Sequence, residues 1–332
     1  MQTEEKNIFH TASYRETGFA HLQQYRGCED NVCTFVSPEL TAAALSDGAG
    51  SCANAAKGSK ITSSTALGML SERFDELYAM TEQEFVNEML QYIRIRLRVA
   101  AELHAYSYES LSATLLCAAI AADGRYLYFH IGDGVICACG RDGRCQVLSS
   151  YIHEIAPNYT TFVTVPETEY HYGKGKGDFS EFLLMSDGPE PFLTHDSQLT
   201  PSGKLMLLVS YFYPEEALVS ELQKLTVMLK DYGMYDDASY AIIADARHAG
   251  EIFRHMSPED CSLLFSGTDR IGMKQKKQIA RMLELILFRS GISETELVRE
   301  FHLHKKSHVR RKLSPFLNAG VLEFSNGRYF FK

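Results

Sequence analysis

Two stretches of this chain repeat one pattern, in which an uncharged apolar run stops at Ser-Asp-Gly. Thr41 to Leu45 leads into Ser46-Asp47-Gly48-Ala49-Gly50-Ser51, and Phe182 to Met185 leads into Ser186-Asp187-Gly188. A strand without charge on either face suits a position covered on both sides, which places these strands inside a layered sheet. The carboxylate that follows then sits at the sheet's end. Gly48 and Gly50 lack a Cβ, so the backbone there can take positive φ and bring a main-chain carbonyl close to a ligand or ion. That suits cation binding, although a single Asp-Gly turn between a strand and a helix is by itself only turn chemistry.

Three further acidic stations stand at strand boundaries. Glu29-Asp30 opens Val32 to Val36, Ile131-Gly132-Asp133-Gly134 lies between two strand patterns, and Asp236-Asp237 opens Tyr240 to Ala244. Carboxylates with a backbone carbonyl, and no Cys or His among them, make a hard oxygen environment suited to Mg²⁺ or Mn²⁺ rather than Zn²⁺. Two such ions sharing a carboxylate can activate water and clamp phosphoryl oxygens, which is the chemistry of phosphoester hydrolysis.

The intervening sequence supplies the layers. Residues 1–20 are expected to give an edge strand. Helical periodicity runs from about Ser63 to Met80, and again from a Thr81–Glu84 capping box toward Ala105. From Ser112 the period becomes that of strands, with turns at Asp123-Gly124 and Asp142-Gly143, as in an antiparallel meander. A short strand is expected at Tyr159 to Val165, a flexible loop at Gly173 to Gly177, and a helix from Pro214 to Leu229. The eight cysteines are scattered without CxxC pairs, as free thiols are. No run approaches the roughly 18 apolar residues of a membrane span, and the acidic, polar start lacks a signal-peptide pattern. The expected location is the cytoplasm, away from membranes.

In their order, GFAH and CED (18–30), SDGAGS (46–51), SATLL (112–116), IGDG (131–134), NYTTFVT (158–164), LLMSDG (183–188) and DDASYAII (236–243) resemble the metal-dependent protein phosphatases. This is the PPM or type 2C family, here most like its divergent bacterial branch. The resemblance implies an α+β fold with two antiparallel sheets sandwiched between helix layers, and a serine/threonine phosphoprotein phosphatase activity using two Mn²⁺ or Mg²⁺ ions. It implies that Asp47 bridges both ions, that the Gly48 carbonyl binds one, and that Asp187 and Asp236 bind the other. Glu29 and Asp30 would act through coordinated water, and Asp133 with Asp187 would hold a third, weaker ion. The implied partners are a phosphorylated protein substrate and a paired serine/threonine kinase. Two departures stand out: Ala49 occupies the place of the histidine that many members carry after the Asp-Gly. Arg26 is one position nearer the acidic pair than the usual phosphate-gripping arginine, and His21 is a candidate substitute. These departures keep a pseudophosphatase or phospho-sensing regulator open as the alternative.

Charge divides the chain. The net charge is −9, yet residues 261–332 hold 14 Lys and Arg against 6 Asp and Glu. Helical patterns at Gln275 to Arg289, after a Ser293–Glu296 capping box, and after Ser307 precede a hairpin around Ser325-Asn326-Gly327, as in a winged helix-turn-helix. Its third helix would offer Lys305, Lys306, His308, Arg310, Arg311 and Lys312 to DNA, or the module would dock a protein. The expected organisation is a phosphatase domain over 1–248, a linker over 249–262 and the winged-helix-like domain over 263–332.

Overall fold

The computed structural model describes residues 8–150, 160–265, 268, 271–289 and 291–332. β1 (Phe9–Glu16) and the short α1 (Phe19–Gln23) precede β2 (Asn31–Val36) and β3 (Leu40–Ser46), then the long α2 (Ala55–Ala79) and α3 (Glu82–His104). The meander follows as β4 (Leu115–Ala121), β5 (Arg125–Ile131), β6 (Val135–Cys139) and β7 (Cys145–Ser150), with β8 (His171–Lys176) and β9 (Glu181–Met185) after it. α4 (Glu190–Leu193) and the small hairpin β10 (Thr194–His195) and β11 (Gln198–Leu199) lead to α5 (Pro201–Ser210), α6 (Glu215–Asp231) and β12 (Ala238–Asp245).

Two five-stranded antiparallel sheets result, ordered β1-β12-β9-β6-β7 and β2-β3-β4-β5-β8. Alternation along each buried strand explains the layering. Ala43 and Leu45 of β3 face an inter-sheet core with Ile136, Leu184 and Ile243, whereas Ala42 and Ala44 face α2 and α3. On the other sheet, Val135, Leu183 and Ile242 face α5 and α6. The α+β sandwich expected from the sequence is therefore present, with β1 as its edge strand.

Three local expectations need correction. Tyr159 lies outside the described residues, and 160–165 form no strand. Most of 173–177 is not loop but β8, where the missing side chains of Gly173 and Gly175 leave room for the Tyr128 and Tyr126 rings to cross the strand. The third concerns 249–262, expected as a linker. It forms α7 (Ala249–His255) and α8 (Pro258–Leu264), whose Ile252, Phe253 and Cys261 enter the same core as Leu207 and Phe212. Pro258, a linker signal in sequence, is the first helical residue after a Ser257–Asp260 capping box.

Beyond these come α9 (Met273–Phe288), β13 (Ile292–Ser293), α10 (Glu294–Glu300), α11 (Lys306–Asn318), β14 (Leu322–Ser325) and β15 (Arg328–Phe331), with a small sheet ordered β13-β15-β14. The three helices and terminal hairpin expected from the sequence are present in that order, and β13 is an additional short strand that pairs with β15. Helix α11 begins at Lys306, one residue before the expected Ser307 cap. The Phe316 ring of α11 has its centroid 4.6 Å from that of Phe265, tilted, and 5.1 Å from that of Phe253, edge-on. Each buried ring contributes about 2 kcal/mol of burial energy, so the last segment is packed onto the sandwich.

Candidate active site

The acidic stations meet at one end of the sandwich because antiparallel strands of both sheets stop there. Pairing of Asn31 with Ser46 sets Asp30 beside Asp47 at the β2–β3 end. Asp133 caps the β5–β6 turn, Asp187 follows β9, and Asp236-Asp237 precede the neighbouring β12. A cleft of about 370 Å³ is lined by Asp47, Gly48, Asp133, Asp187, Asp236 and His21, among others.

Carboxylate oxygens of Asp47, Asp133 and Asp187 lie within 4.8 Å of one another. Asp236 lines the same cleft but groups with His21 and Asp237 instead. Asp30 is 1% exposed, and neither of its carboxylate oxygens has a well-formed hydrogen bond. Glu29 turns to Arg26, whose Nη2 lies 2.5 Å from Oε1. Arg26 also donates to the Gly50 carbonyl at 3.0 Å and faces a neighbouring groove rather than the acidic cleft.

Crowding dominates the electrostatics. Burial, reinforced by Asp133, Asp236 and Asp30, raises the Asp187 pKa from 3.8 to about 8. Burial and then Asp30, Asp187 and Asp133 push Asp47 well above the carboxylate range. Asp30 rises to about 6, chiefly through burial. Among the described residues, no Lys or Arg forms an ion pair with Asp30, Asp47 or Asp187. Oxygen donors clustered this closely, beside a buried carboxylate with no well-formed hydrogen bond, fit a hard divalent ion.

The backbone holds this cluster in place. Asp47 donates its N–H to Thr114 Oγ1 at 2.9 Å, and its carbonyl accepts from the Thr114 N–H at 2.8 Å. Thr160 donates to Asp133 Oδ2. The positive φ that the sequence suggested for Gly48 and Gly50 is taken by neither; Gly48 is needed instead for close approach, since a Cβ would lie 2.7 Å from the Ala55 backbone. Asp237 organises the rim: its carboxylate accepts from Gly18 N–H at 2.7 Å and Glu29 N–H at 2.6 Å, and lies 3.0 Å from His21 Nδ1. Sequence reading assigned no role to Thr114 or Thr160, although both lie in motifs it singled out. Ala49 offers no side-chain proton, and its N–H is bound to the Ser112 carbonyl at 3.0 Å.

The six basic residues of the last segment divide. Lys305, Lys306, Arg310 and Arg311 are exposed, His308 is half-buried, and Lys312 is buried. Arg310 is bound bidentately by Glu294, at 2.6 and 2.8 Å.

No helix among the described residues is long and apolar enough to cross a membrane. No curated protein matches the chain by sequence. Solved structures share its fold at low identity. A bacterial serine phosphatase superposes with a TM-score of 0.53 at 16% identity, covering 71% of this chain and 97% of its own. The serine/threonine phosphatase Stp1 from Staphylococcus aureus gives 0.52 at 14%, covering 74% and 99%. A C. elegans sex determining protein gives 0.53 at 13%, covering 75% and 69%. The family model for protein phosphatase 2C matches residues 17–236, a span that holds the four aspartates lining the cleft. On that match the chain belongs to the protein phosphatase 2C family, a family of protein serine/threonine phosphatases.

Proposed function

We propose that this chain hydrolyses phosphoserine and phosphothreonine in proteins with the help of two Mn²⁺ or Mg²⁺ ions held in the acidic cleft. The observation that carries the reading is the convergence of Asp47, Asp133 and Asp187, drawn from both sheets, to within 4.8 Å. Asp47, the Gly48 carbonyl, Asp187 and Asp236 would hold the pair, with Asp133 and Asp187 available to a third ion. When bound, the ions would neutralise phosphoryl charge and make water a nucleophile near neutral pH.

The chain's own residues fix the geometry around that chemistry. Thr114 locks the Asp47 backbone from both sides, and Thr160 orients Asp133. Asp237 lies 3.0 Å from His21 Nδ1 and steadies the ring, and Nε2, 3.8 Å from Glu29 Oε2, is the atom that would pass a proton to the departing serine or threonine oxygen in place of the missing histidine at Ala49. A serine/threonine kinase would supply the substrate. The test is phosphate release from a phosphoserine or phosphothreonine peptide. Release should require Mn²⁺ or Mg²⁺ and be lost in Asp47→Asn and Asp187→Asn with the fold intact. Activity surviving exhaustive chelation would overturn the reading.

A second reading is favoured by Ala49 and by the exposed bases of α11: a phospho-sensing regulator whose winged-helix-like tail binds DNA or a protein. It expects phosphopeptide binding without turnover and salt-sensitive DNA affinity that falls when Lys305, Lys306 and Arg311 become alanine.

A further inference from the structure

We propose that Phe19, Leu22 and Tyr235 form an apolar platform at the rim of the cleft, which seats an aliphatic or aromatic side chain next to the phosphorylated residue of the protein substrate. The proposal rests on the phosphatase reading and adds a substrate preference to it.

Helix α1 is the starting point. It has five residues and none is buried, so it cannot be held by a core of its own, and so short a helix is not stable alone. Polar and backbone contacts fix it instead. Gly18 N–H is bound by Asp237 Oδ1 at 2.7 Å, and Ala20 N–H donates to the Tyr235 carbonyl at 3.0 Å. Gly18 also lies against the Asp236 carbonyl, with no room for a side chain.

The large apolar side chains of this clamped segment are thus left facing solvent. Phe19 is 49% exposed, Leu22 55% and Tyr235 63%. The Phe19 and Tyr235 rings stand 6.0 Å apart, so the two elements present one surface. Single exposed apolar residues are common; a contiguous group on a rigidly held rim marks a contact surface.

Continuity with the cleft identifies the occupant. The helix that carries Phe19 and Leu22 also delivers His21, and Tyr235 directly precedes Asp236; both His21 and Asp236 line the cleft. A small phosphoester fills the cleft alone, whereas a polypeptide reaches past it, three extended residues spanning about 10 Å. The clustered carboxylates disfavour acidic residues beside the phosphate, which leaves apolar contact to secure the flank. Aromatic anchors are the side chains that dominate such contacts.

The experiment compares wild type with the double variant Phe19→Ser, Leu22→Ser in the presence of Mn²⁺. Three substrates are used: a phosphothreonine peptide flanked by Leu and Phe, the same peptide flanked by Gly and Ser, and p-nitrophenyl phosphate. Wild type should favour the apolar-flanked peptide in kcat/KM by about tenfold, mainly through KM. The variant should lose that preference, so that its ratio of apolar-flanked peptide to p-nitrophenyl phosphate falls by a similar factor. No preference in wild type, or an equal fall on all three substrates, would overturn the platform. If wild type turns over none of them, the phosphatase reading itself has failed. The platform is then read from fluorescence anisotropy of the two labelled peptides. Tighter binding of the apolar-flanked one, lost in the variant, supports it, and equal affinities overturn it.

Discussion

At the cleft, Asp47, Asp133 and Asp187 hold carboxylate oxygens within 4.8 Å of one another, whereas where α10 meets α11 a buried acid is matched by a base. There Arg310 grips Glu294 with bonds of 2.6 and 2.8 Å. The contrast separates two uses of charge. Like charges pressed together by a fold oppose folding, and a bound proton or a divalent cation relieves them. A matched pair requires nothing from outside. The acidic end therefore carries a demand for a ligand, while the positive excess of the basic end overstates the charge free to meet nucleic acid.

The largest expected effect follows from removing one crowded acid. Asp47→Asn should lower phosphatase activity on the order of a thousandfold, since the group expected to serve both ions is lost. The same change should raise the melting temperature of the chelated protein, because one repelling charge has gone. A variant that is both inactive and less stable without metal would place Asp47 among ordinary structural acids and break the comparison.

Titration sharpens the same point. Asp187 keeps its proton to about pH 8 in the folded chain but releases it near 3.8 when exposed. Across that interval the folded state binds more protons than the unfolded one, so metal-free stability should fall as pH rises from about 4 to about 8. Asp245 behaves oppositely: Arg247 and His248 outweigh its burial and lower its pKa, so its contribution changes below pH 4. Melting curves at pH 5.5 and pH 8 in chelator should differ accordingly, with Mn²⁺ stabilising more at pH 8, where it displaces fewer protons. A chelated protein as stable at pH 8 as at pH 5.5 would show that the cluster is not strained.

Which parts of this were legible in sequence follows from how local each signal is. The β3 and β9 runs, the Thr81–Glu84 and Ser293–Glu296 capping boxes and the Asn326-Gly327 hairpin are set by neighbours within a few residues, and all are present. Helices α7 and α8 were missed because their polar faces are charged, and the apolar face of α7 is matched by elements distant in the chain, α9 and Phe316 among them. β8 was missed because its glycines are explained by two tyrosines on β5 rather than by their own neighbours. The acids were legible as a set. The division of Asp236 from the Asp47 cluster, and the pinning of Arg26 away from the cleft, depend on three-dimensional contacts that spacing does not encode.

A middle-sized effect is expected at Asp237, which links the cleft to α1. Asp237→Ala leaves the N–H groups of Gly18 and Glu29 without their acceptor, at a cost of about 2 kcal/mol or more. Denaturant unfolding should register that loss, and His21 would lose its Nδ1 partner, so activity should fall as well. Asp237→Asn keeps one acceptor oxygen and should recover part of the stability. Full stability in Asp237→Ala would mean that α1 is held by something other than this carboxylate.

The smallest effects test the matched end. Glu294 is 4% exposed and accepts from Arg310 and the Tyr329 hydroxyl, so Arg310→Ala strands a buried carboxylate and should lower the melting temperature. Glu294→Gln in the same chain should restore much of it, because the stranded charge is then gone. Arg311 is exposed and should be replaceable by alanine without a change in melting temperature. If α11 meets DNA, Arg311→Ala should weaken binding and reduce its salt dependence by about one phosphate contact. Arg310, already neutralised by Glu294, should reduce the slope by less. Equal salt slopes lost at both arginines would show that the Arg310–Glu294 pair opens on binding, and the distinction between matched and demanding charge would then hold only for the free protein.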